Sequence, residues 1–351
     1  MTGAAGFVGC ALIRYLLEAM EGLEVVGLDN LMRAGSELNR ARLRESGVTF
    51  HHGDVRLASD FSGLPAVDWV IDAAASPSVL GGVDESGDSR RVIEHNLLGT
   101  VNTLEYCRRS GAGFLLISTS RVYSIEPLAA LPVAVVDEAF RPEIGPSAPP
   151  GLSERGIGEG FSTAPPVSLY GASKLASETL ALEYGEAYGF EVWINRCGVL
   201  AGAGQFGRAD QGIFSFWIHS AYRGRPLRYI GFGGKGHQVR DCLHPRDLVP
   251  LLIGQLRASG GGRRRVQNVS GGIGNSMSLA QLTRWCRERF GPFEVEPDPV
   301  ERPFDLPWLV LDPTLAGEQW GWEPQSDLEQ ILSEIADHAV DHPGWLGLSC
   351  S

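Results

Sequence analysis

An α/β fold, a doubly wound parallel sheet with a smaller C-terminal lobe, is predicted by three features of this chain. Gly3, Gly6 and Gly9 fall three apart in the opening MTGAAGFVGC and lead into an apolar stretch of helical character that runs to Met20. Short apolar runs then alternate with helical stretches, and EVVGLD (24–29), VTFHHGD (48–54), DWVIDAA (68–74), FLLISTS (114–120) and VWINRCG (192–198) read as buried strands. Strands that alternate with helices at this pace imply right-handed crossovers, hence a parallel sheet of the Rossmann type with helices on both faces. The length, 351 residues, suits about two domains or one large α/β unit with a second lobe.

The glycine turn comes first. Glycines let the backbone approach a pyrophosphate, and the helix N-terminus that follows faces its negative charge, so Gly3, Gly6, Phe7, Val8 and Gly9 are expected at a dinucleotide. A buried strand belongs ahead of such a turn, yet only Met1 and Thr2 stand there. The first strand is therefore expected to be missing, either because translation begins upstream or because the chain is truncated and binds its cofactor weakly. Asp29 ends the next strand, 20 positions after Gly9, where a carboxylate accepts both ribose hydroxyls and repels a 2′-phosphate. That favours NAD over NADP, with Arg33 as the residue that leaves NADP open. Asp54, in HGDVR, is a candidate for the adenine edge. Asn30, Val55, Ala74, Asn96, Tyr170 and Lys174 complete the set expected at the cofactor.

Further along, EHNLLGTVNTLEYCRRSG (94–111) has helical spacing and ends on Gly111. Residues 126–168 break the rhythm with a run rich in Pro, Gly and Ser, read as a surface loop or a substrate lid. A helix is expected from about Leu169 to Tyr188, loop-rich chain with aromatics from Gln205 to Arg265, and helices at 279–290 and 326–339. The domain reading is 1–198 for the dinucleotide unit with its insertion, 199–345 for a substrate lobe that returns in part to the first unit, and 346–351 for a tail.

Composition excludes several function classes. A net charge of −12 argues against broad nucleic-acid binding, which needs a basic face. No apolar stretch approaches the roughly 20 residues of a membrane span. Six cysteines without CxxC pairing or ligand spacing suggest a reducing compartment, no metal site and a cytoplasmic location.

The sharpest chemical signal is YGASK, which puts Tyr170 and Lys174 four apart on one helix face. A phenol, with a reference pKa near 10, is a poor base at neutral pH, and a nearby ammonium and the nicotinamide cation favour its phenolate. Tyr170 is then placed to take a proton from a substrate hydroxyl while hydride leaves the same carbon. Thr119, in STSRVY at a strand's carboxyl end, is placed to hydrogen-bond that hydroxyl, and ligands gather at such ends.

These motifs, spread from Gly3 to about Asp312, resemble the extended short-chain dehydrogenase/reductases, and among them the NAD-dependent nucleotide-sugar epimerases and dehydratases. GLDNLMRAGSELN (27–39), STSRVYS (118–124), GLSERGIGEGFST (151–163), RCGVLAGAGQFGRADQG (196–212) and FGGKGHQVRDCLHPRD (232–247) are similar to the subgroup of 2-epimerases that act on CDP-paratose. The resemblance implies Thr119, Tyr170 and Lys174 as the catalytic set. It implies a nucleotide-sugar partner held by Ser120, Arg121, Gln205, Arg240, Arg302 and Asp305, and a homodimer or homotetramer built on two long helices. Ser120-Arg121 stand where the dehydratases carry Asp-Glu, so water elimination is not expected. The chain departs from the family in Ala4-Ala5 for a usual glycine, in Asp72 for a frequent His and in Phe304 for a usual Gly. A UDP-sugar 4-epimerase, a net dehydrogenase and a non-catalytic NAD-binding module are the rival readings.

Overall fold

The computed structural model describes residues 1–81, 83, 89–208, 211–258 and 262–349. Six parallel strands carry the main sheet: β1 (Val26–Asp29), β2 (Thr49–His52), β3 (Trp69–Asp72), β4 (Gly113–Thr119), β5 (Val192–Cys197) and β6 (Val266–Val269). Pairing runs β6-β5-β4-β3 on one side and β1-β2 on the other. Between them lies the slot in which the sequence predicts a missing strand.

That expectation is corrected. Thr2 bridges in parallel to both Leu28 and Asp72, so Met1 and Thr2 occupy the slot and join the two halves. The Thr2 N–H donates to Ile71 O at 3.1 Å, and the Leu28 N–H donates to Met1 O at 2.9 Å. The Thr2 hydroxyl also donates to Asp72 Oδ1 at 2.5 Å, and the Thr100 hydroxyl to Oδ2 at 3.0 Å, so the buried Asp72 carboxylate anchors this stub.

Alternation along β4 sorts the core into two faces. Leu115 and Ile117 pack with Trp193 against α1 (Phe7–Ala19), through Leu12, Tyr15 and Leu16, and against Leu248, Leu251 and Leu252. Phe114 and Leu116 pack with Ile194 against α2 (Gly99–Ser110) and α3 (Ser168–Tyr188), through Leu104, Cys107 and Ala181. The helix expected at 94–111 is interrupted, because Glu94–Leu98 is a π turn ahead of α2, and it ends as expected on Gly111 at φ 72°.

The stretch from Gln205 to Arg265 holds two helices, which corrects the loop-rich reading. In α4 (Ile213–Tyr222), Phe214, Trp217, Ile218 and Ala221 are buried together with Ser215, His219 and Ser220, so no polar face is left to give a helical period. The next helix, α5 (Pro245–Arg257), starts with His244 as N-cap and Pro245 in its first turn, and it packs back on α1. Then α6 (Leu279–Phe290) and α7 (Leu328–Asp341) pack with α4 in the lobe. A small sheet of Val199–Leu200, Val239–Leu243, Ser276–Ser278 and Trp308–Leu309 joins the lobe to the main unit. Beyond it, Trp345 stacks on Phe206 with ring centroids 5.2 Å apart, and Leu346 is buried.

The insertion is neither open loop nor lid. It folds as a short helix, Ile125–Ala129, and two antiparallel hairpins, Val133–Val136 with Ala139–Pro142 and Leu152–Ser153 with Gly156–Ile157. Leu128, Leu131, Ile157 and Phe161 form a core with Val310 and Leu311, and Ile157 bridges in parallel to Leu311. The Asn268 N–H donates to Glu159 Oε1 at 2.6 Å. None of the described residues 126–168 lines the large cleft at the sheet's carboxyl edge. Because Ile157 is fully buried, I157A is expected to destabilise the protein by about 2–4 kcal/mol. Urea unfolding measures this, and a change under about 0.5 kcal/mol would mean that the insertion is not packed.

Candidate functional site

A cleft of about 850 Å³ opens between the carboxyl edge of the main sheet and the lobe, the usual ligand position in such sheets. Its floor at one end is the glycine turn. Gly3 stands at φ +61°, and a Cβ on Gly9 would come within 2.2 Å of Gly3 O, so the first turn of α1 packs on the turn only as glycine. The helix starts at Phe7 with no side-chain cap and no acidic residue in its first turn, which leaves its N–H groups and positive dipole end to an anion. Gly3, Gly6, Phe7, Val8 and Gly9 all line the cleft, as do Asp29, Asn30, Val55 and Ala74.

Asp29 is tied to the turn it serves. Its Oδ2 accepts from the Ala5 N–H at 2.9 Å and its Oδ1 from the Leu31 N–H at 2.8 Å. Burial pushes the carboxyl up, and these two amides act against the rise. Arg33, the residue that left NADP open, also lines the cleft, where Nη1 donates to Gln211 Oε1 at 2.9 Å and Nη2 to Phe206 O at 2.5 Å. The cradle without room for a Cβ, the open helix end and the carboxylate at the ribose position fit NAD.

Three residues expected at the cofactor, Asp54, Asn96 and Lys174, lie outside the cleft lining. Asp54 is clamped by Arg56, with Nη2 at 2.6 Å from Oδ2, and also accepts from Asn30 Nδ2 at 3.0 Å. Burial raises its carboxyl, but the Arg56 bonds outweigh that and hold it well below the usual range. Its neighbours Gly53 and Val55 line the cleft instead. Asn96, in the π turn, accepts from the Ser76 N–H at 2.7 Å and donates to Ser173 Oγ at 3.0 Å. It thereby fastens the loop after β3 to the reactive helix.

At the reacting end, Thr119 closes β4, and Tyr170 and Lys174 sit one turn apart on α3. Thr119 and Tyr170 line the cleft; Lys174 lies behind, 2% exposed. The glycine of YGASK has a steric cause, because a Cβ on Gly171 would meet the Arg121 carbonyl at 2.2 Å. Burial raises the Tyr170 phenol, while the Thr119 side chain and the Arg121 charge pull it down. Burial lowers the Lys174 ammonium, and the carboxylates of Asp72 and Glu178 act against that.

The far end is basic. Arg240 Nη2 donates to Asp305 Oδ1 at 2.7 Å and Nη1 to Leu306 O at 2.9 Å, so it shapes the loop that carries Arg302 and Asp305. Phe304, where the resemblance has Gly, stands at φ 62° and offers its carbonyl to Arg121 Nη1 at 3.2 Å. Ser120, Arg121, Gln205, Arg240, Arg302 and Asp305 all line the cleft. Arg302 and Asp305 also border an adjoining recess of about 180 Å³, which Phe216, Trp217, Leu227 and Gln238 line further. Of these recess residues, sequence reasoning named only Arg302 and Asp305; the rest come from α4 and its neighbours, where no motif marks them. Among the described residues no group of three or more His, Cys, Asp or Glu is placed to hold a metal ion.

Comparisons with known proteins agree with this geometry. The model of the NAD dependent epimerase/dehydratase family matches residues 1–269. The chain is 29% identical over 353 residues to a dTDP-glucose 4,6-dehydratase of Streptomyces antibioticus, covering 98% of this chain and 93% of that protein. It is 28% identical over 290 residues to the CDP-paratose 2-epimerase of Salmonella typhi, covering 80% and 81%. The crystal structure of the Thermus thermophilus UDP-glucose 4-epimerase complex with NAD superposes with a TM-score of 0.73 at 28% identity, covering 97% of each chain.

Removing the space at the glycine turn tests the cofactor end. G9A is expected to weaken NAD binding at least about tenfold, roughly 1.4 kcal/mol, because its Cβ displaces the Gly3 carbonyl from the cradle. Titration calorimetry with NAD reads the loss, and wild-type affinity in a folded variant would remove the cradle argument.

Proposed function

Because the chain belongs to the NAD dependent epimerase/dehydratase family, we propose that it is an NAD-dependent nucleotide-sugar epimerase that inverts C2 of CDP-paratose to give CDP-tyvelose through a transient keto sugar. The observation that carries the reading is the placement of Thr119 and Tyr170 in one cleft with the glycine turn at one end and Arg240, Arg302 and Asp305 at the other. The glycine turn and Asp29 would hold NAD, which would supply a reversible hydride acceptor for a sugar carbon. Tyr170 takes the proton of the hydroxyl on that carbon and later gives it back. Thr119 orients the same hydroxyl, and Lys174 lends positive charge to the phenolate from behind. Arg240 and Arg302 hold the diphosphate, a task that suits bidentate guanidinium groups in an otherwise acidic protein. No net oxidation results.

Inversion is favoured over water elimination by what stands beside Tyr170. Ser120 and Arg121 occupy the place of the dehydratases' acid pair, and Asp305, the carboxylate that lines the far end of the cleft, is bound to Arg240. The choice of CDP-paratose rests on the five sequence stretches similar to that subgroup and on the Salmonella relative. Inversion at C4 of a UDP-sugar is the second reading, because the Thermus enzyme has the same fold at equal identity.

A panel of CDP-, UDP-, GDP- and dTDP-sugars assayed by NMR decides between them. C2 inversion of CDP-paratose is the expected product, and inversion of a UDP-sugar at C4 alone would replace the substrate reading. Y170F is expected to lower the rate of inversion about 10²–10⁴-fold. Full activity in that variant would remove Tyr170 from the chemistry.

A further inference from the structure

Arg33 joins the cofactor side of the cleft to the lobe side. It stands on the segment that follows the ribose carboxylate, and that segment is tied down. The Leu31 N–H donates to Asp29 Oδ1 at 2.8 Å, the Met32 N–H to Asn30 Oδ1 at 3.0 Å, and the Ser36 N–H closes a turn on Arg33 O at 2.9 Å. From there the guanidinium holds two acceptors of the lobe side at once, Gln211 Oε1 at 2.9 Å through Nη1 and the Phe206 carbonyl at 2.5 Å through Nη2.

Packing reinforces these bonds. Gly35, at φ +92°, abuts Phe206 so closely that a Cβ there would stand 2.5 Å from Cε1 of the ring. Trp345 stacks on the same ring with an interplanar angle of 12°, and its Nε1–H donates to Gln205 O at 3.0 Å. The Ser215 hydroxyl, from the first turn of α4, donates to Gln205 O as well, at 3.0 Å. Phe206 and Trp345 are 4% and 3% exposed, so the acceptor that Arg33 grips is backed by buried side chains. Asp29, Asn30 and Arg33 line one cleft with Gln205, Phe206 and Gln211.

We propose that Arg33 is a positioning residue that fastens the cofactor rim to the lobe, so that NAD(H) stays in the cleft from one hydride transfer to the next. This rests on the reading of a hydride that leaves the sugar and returns to it. Such a cycle closes only if the cofactor that took the hydride is still present to give it back. The segment after Asp29 cannot part from the lobe without breaking two hydrogen bonds of one charged donor. Arginine suits the task because its planar fork meets two acceptors in fixed directions, whereas a lysine brings the charge as a point on a flexible stem.

The rate of cofactor release tests this. The NAD-loaded full chain is mixed with an excess of fluorescent etheno-NAD, without sugar, and stopped-flow fluorescence follows the exchange. R33M loses both bonds and is expected to release NAD about tenfold faster than wild type. R33K keeps the charge without the fork, and its rate is expected to lie closer to that of R33M than to wild type. A rate closer to wild type would mean that the charge acts on the cofactor directly, and it overturns the proposal. Q211L removes one acceptor from the lobe side and is expected to speed release about threefold. The double variant R33M/Q211L is expected to be no faster than R33M, because both changes break the same contact. Factors that multiply in the double variant, or an unchanged rate in either R33M or Q211L, overturn the proposal. The exchange uses no sugar, so a failed sugar panel sinks the substrate reading without touching this one.

Discussion

Beneath the reactive helix, the Arg196 guanidinium on β5 grips the Glu178 carboxylate of α3 through three N–H···O bonds of 3.2, 3.1 and 2.7 Å. Both side chains are under a tenth exposed. A buried pair of this kind contributes little net stability, but either charge alone would be costly, so it fixes how the two elements meet. Glu178 lies four residues after Lys174 and eight after Tyr170, on the same helix face. The pair therefore sets the rotation of α3 and with it the direction in which the phenol and the ammonium point. Ser118 of β4 adds its hydroxyl to Glu178, one residue before Thr119. From Arg196 the network continues to the Tyr123 hydroxyl at 3.3 Å, then to Asn268 Oδ1 at 2.6 Å, and Asn268 Nδ2 donates to Ile157 O at 2.8 Å. The insertion, β6, β5 and the reactive helix are thus held by one chain of satisfied polar groups.

The same economy of charge runs through the cleft. An acidic protein of net charge −12 places Asp29 at the ribose end and two arginines, Arg240 and Arg302, at the other. The Arg240–Asp305 pair leaves a surplus of positive charge where a diphosphate has to lie, and its hydrogen bonds hold the loop at the left-handed Phe304. At the cofactor end the positive field comes from backbone N–H groups of the turn and of α1 instead of side chains. One cleft therefore offers two anion sites built in different ways, separated by the strand ends that carry the chemistry.

How much of this was legible depended on how far each feature reaches along the chain. The glycine turn, the strands from β1 to β5 and the Tyr170–Lys174 spacing are local patterns, and the structure has them where the sequence predicts them. The buried all-round helix α4 erases the periodicity that a helix is read by. Asp54 and Asn96 carry the right groups at plausible positions, yet partners at hand, Arg56 for one and Ser76 and Ser173 for the other, take them up. Arg33 meets its acceptors some 173 and 178 residues away, a distance at which single-sequence patterns carry no signal.

Asp72 shows how a departure from the family's usual residue is absorbed. Its carboxylate, 2% exposed, accepts the hydroxyls of Thr2 and Thr100, so Thr2 is tied into the middle of the sheet by a side-chain hydrogen bond as well as by its backbone bridges. Buried carboxylates of this sort are costly unless they are hydrogen-bonded, and two hydroxyl donors from two elements bond this one, one on each oxygen. The Asp72 carboxylate also acts on the Lys174 ammonium, against the burial that lowers it. A single side chain thus joins Thr2, in the middle of the sheet, to the charge behind the reactive phenol, and a neutral residue at position 72 would loosen the first and weaken the second together.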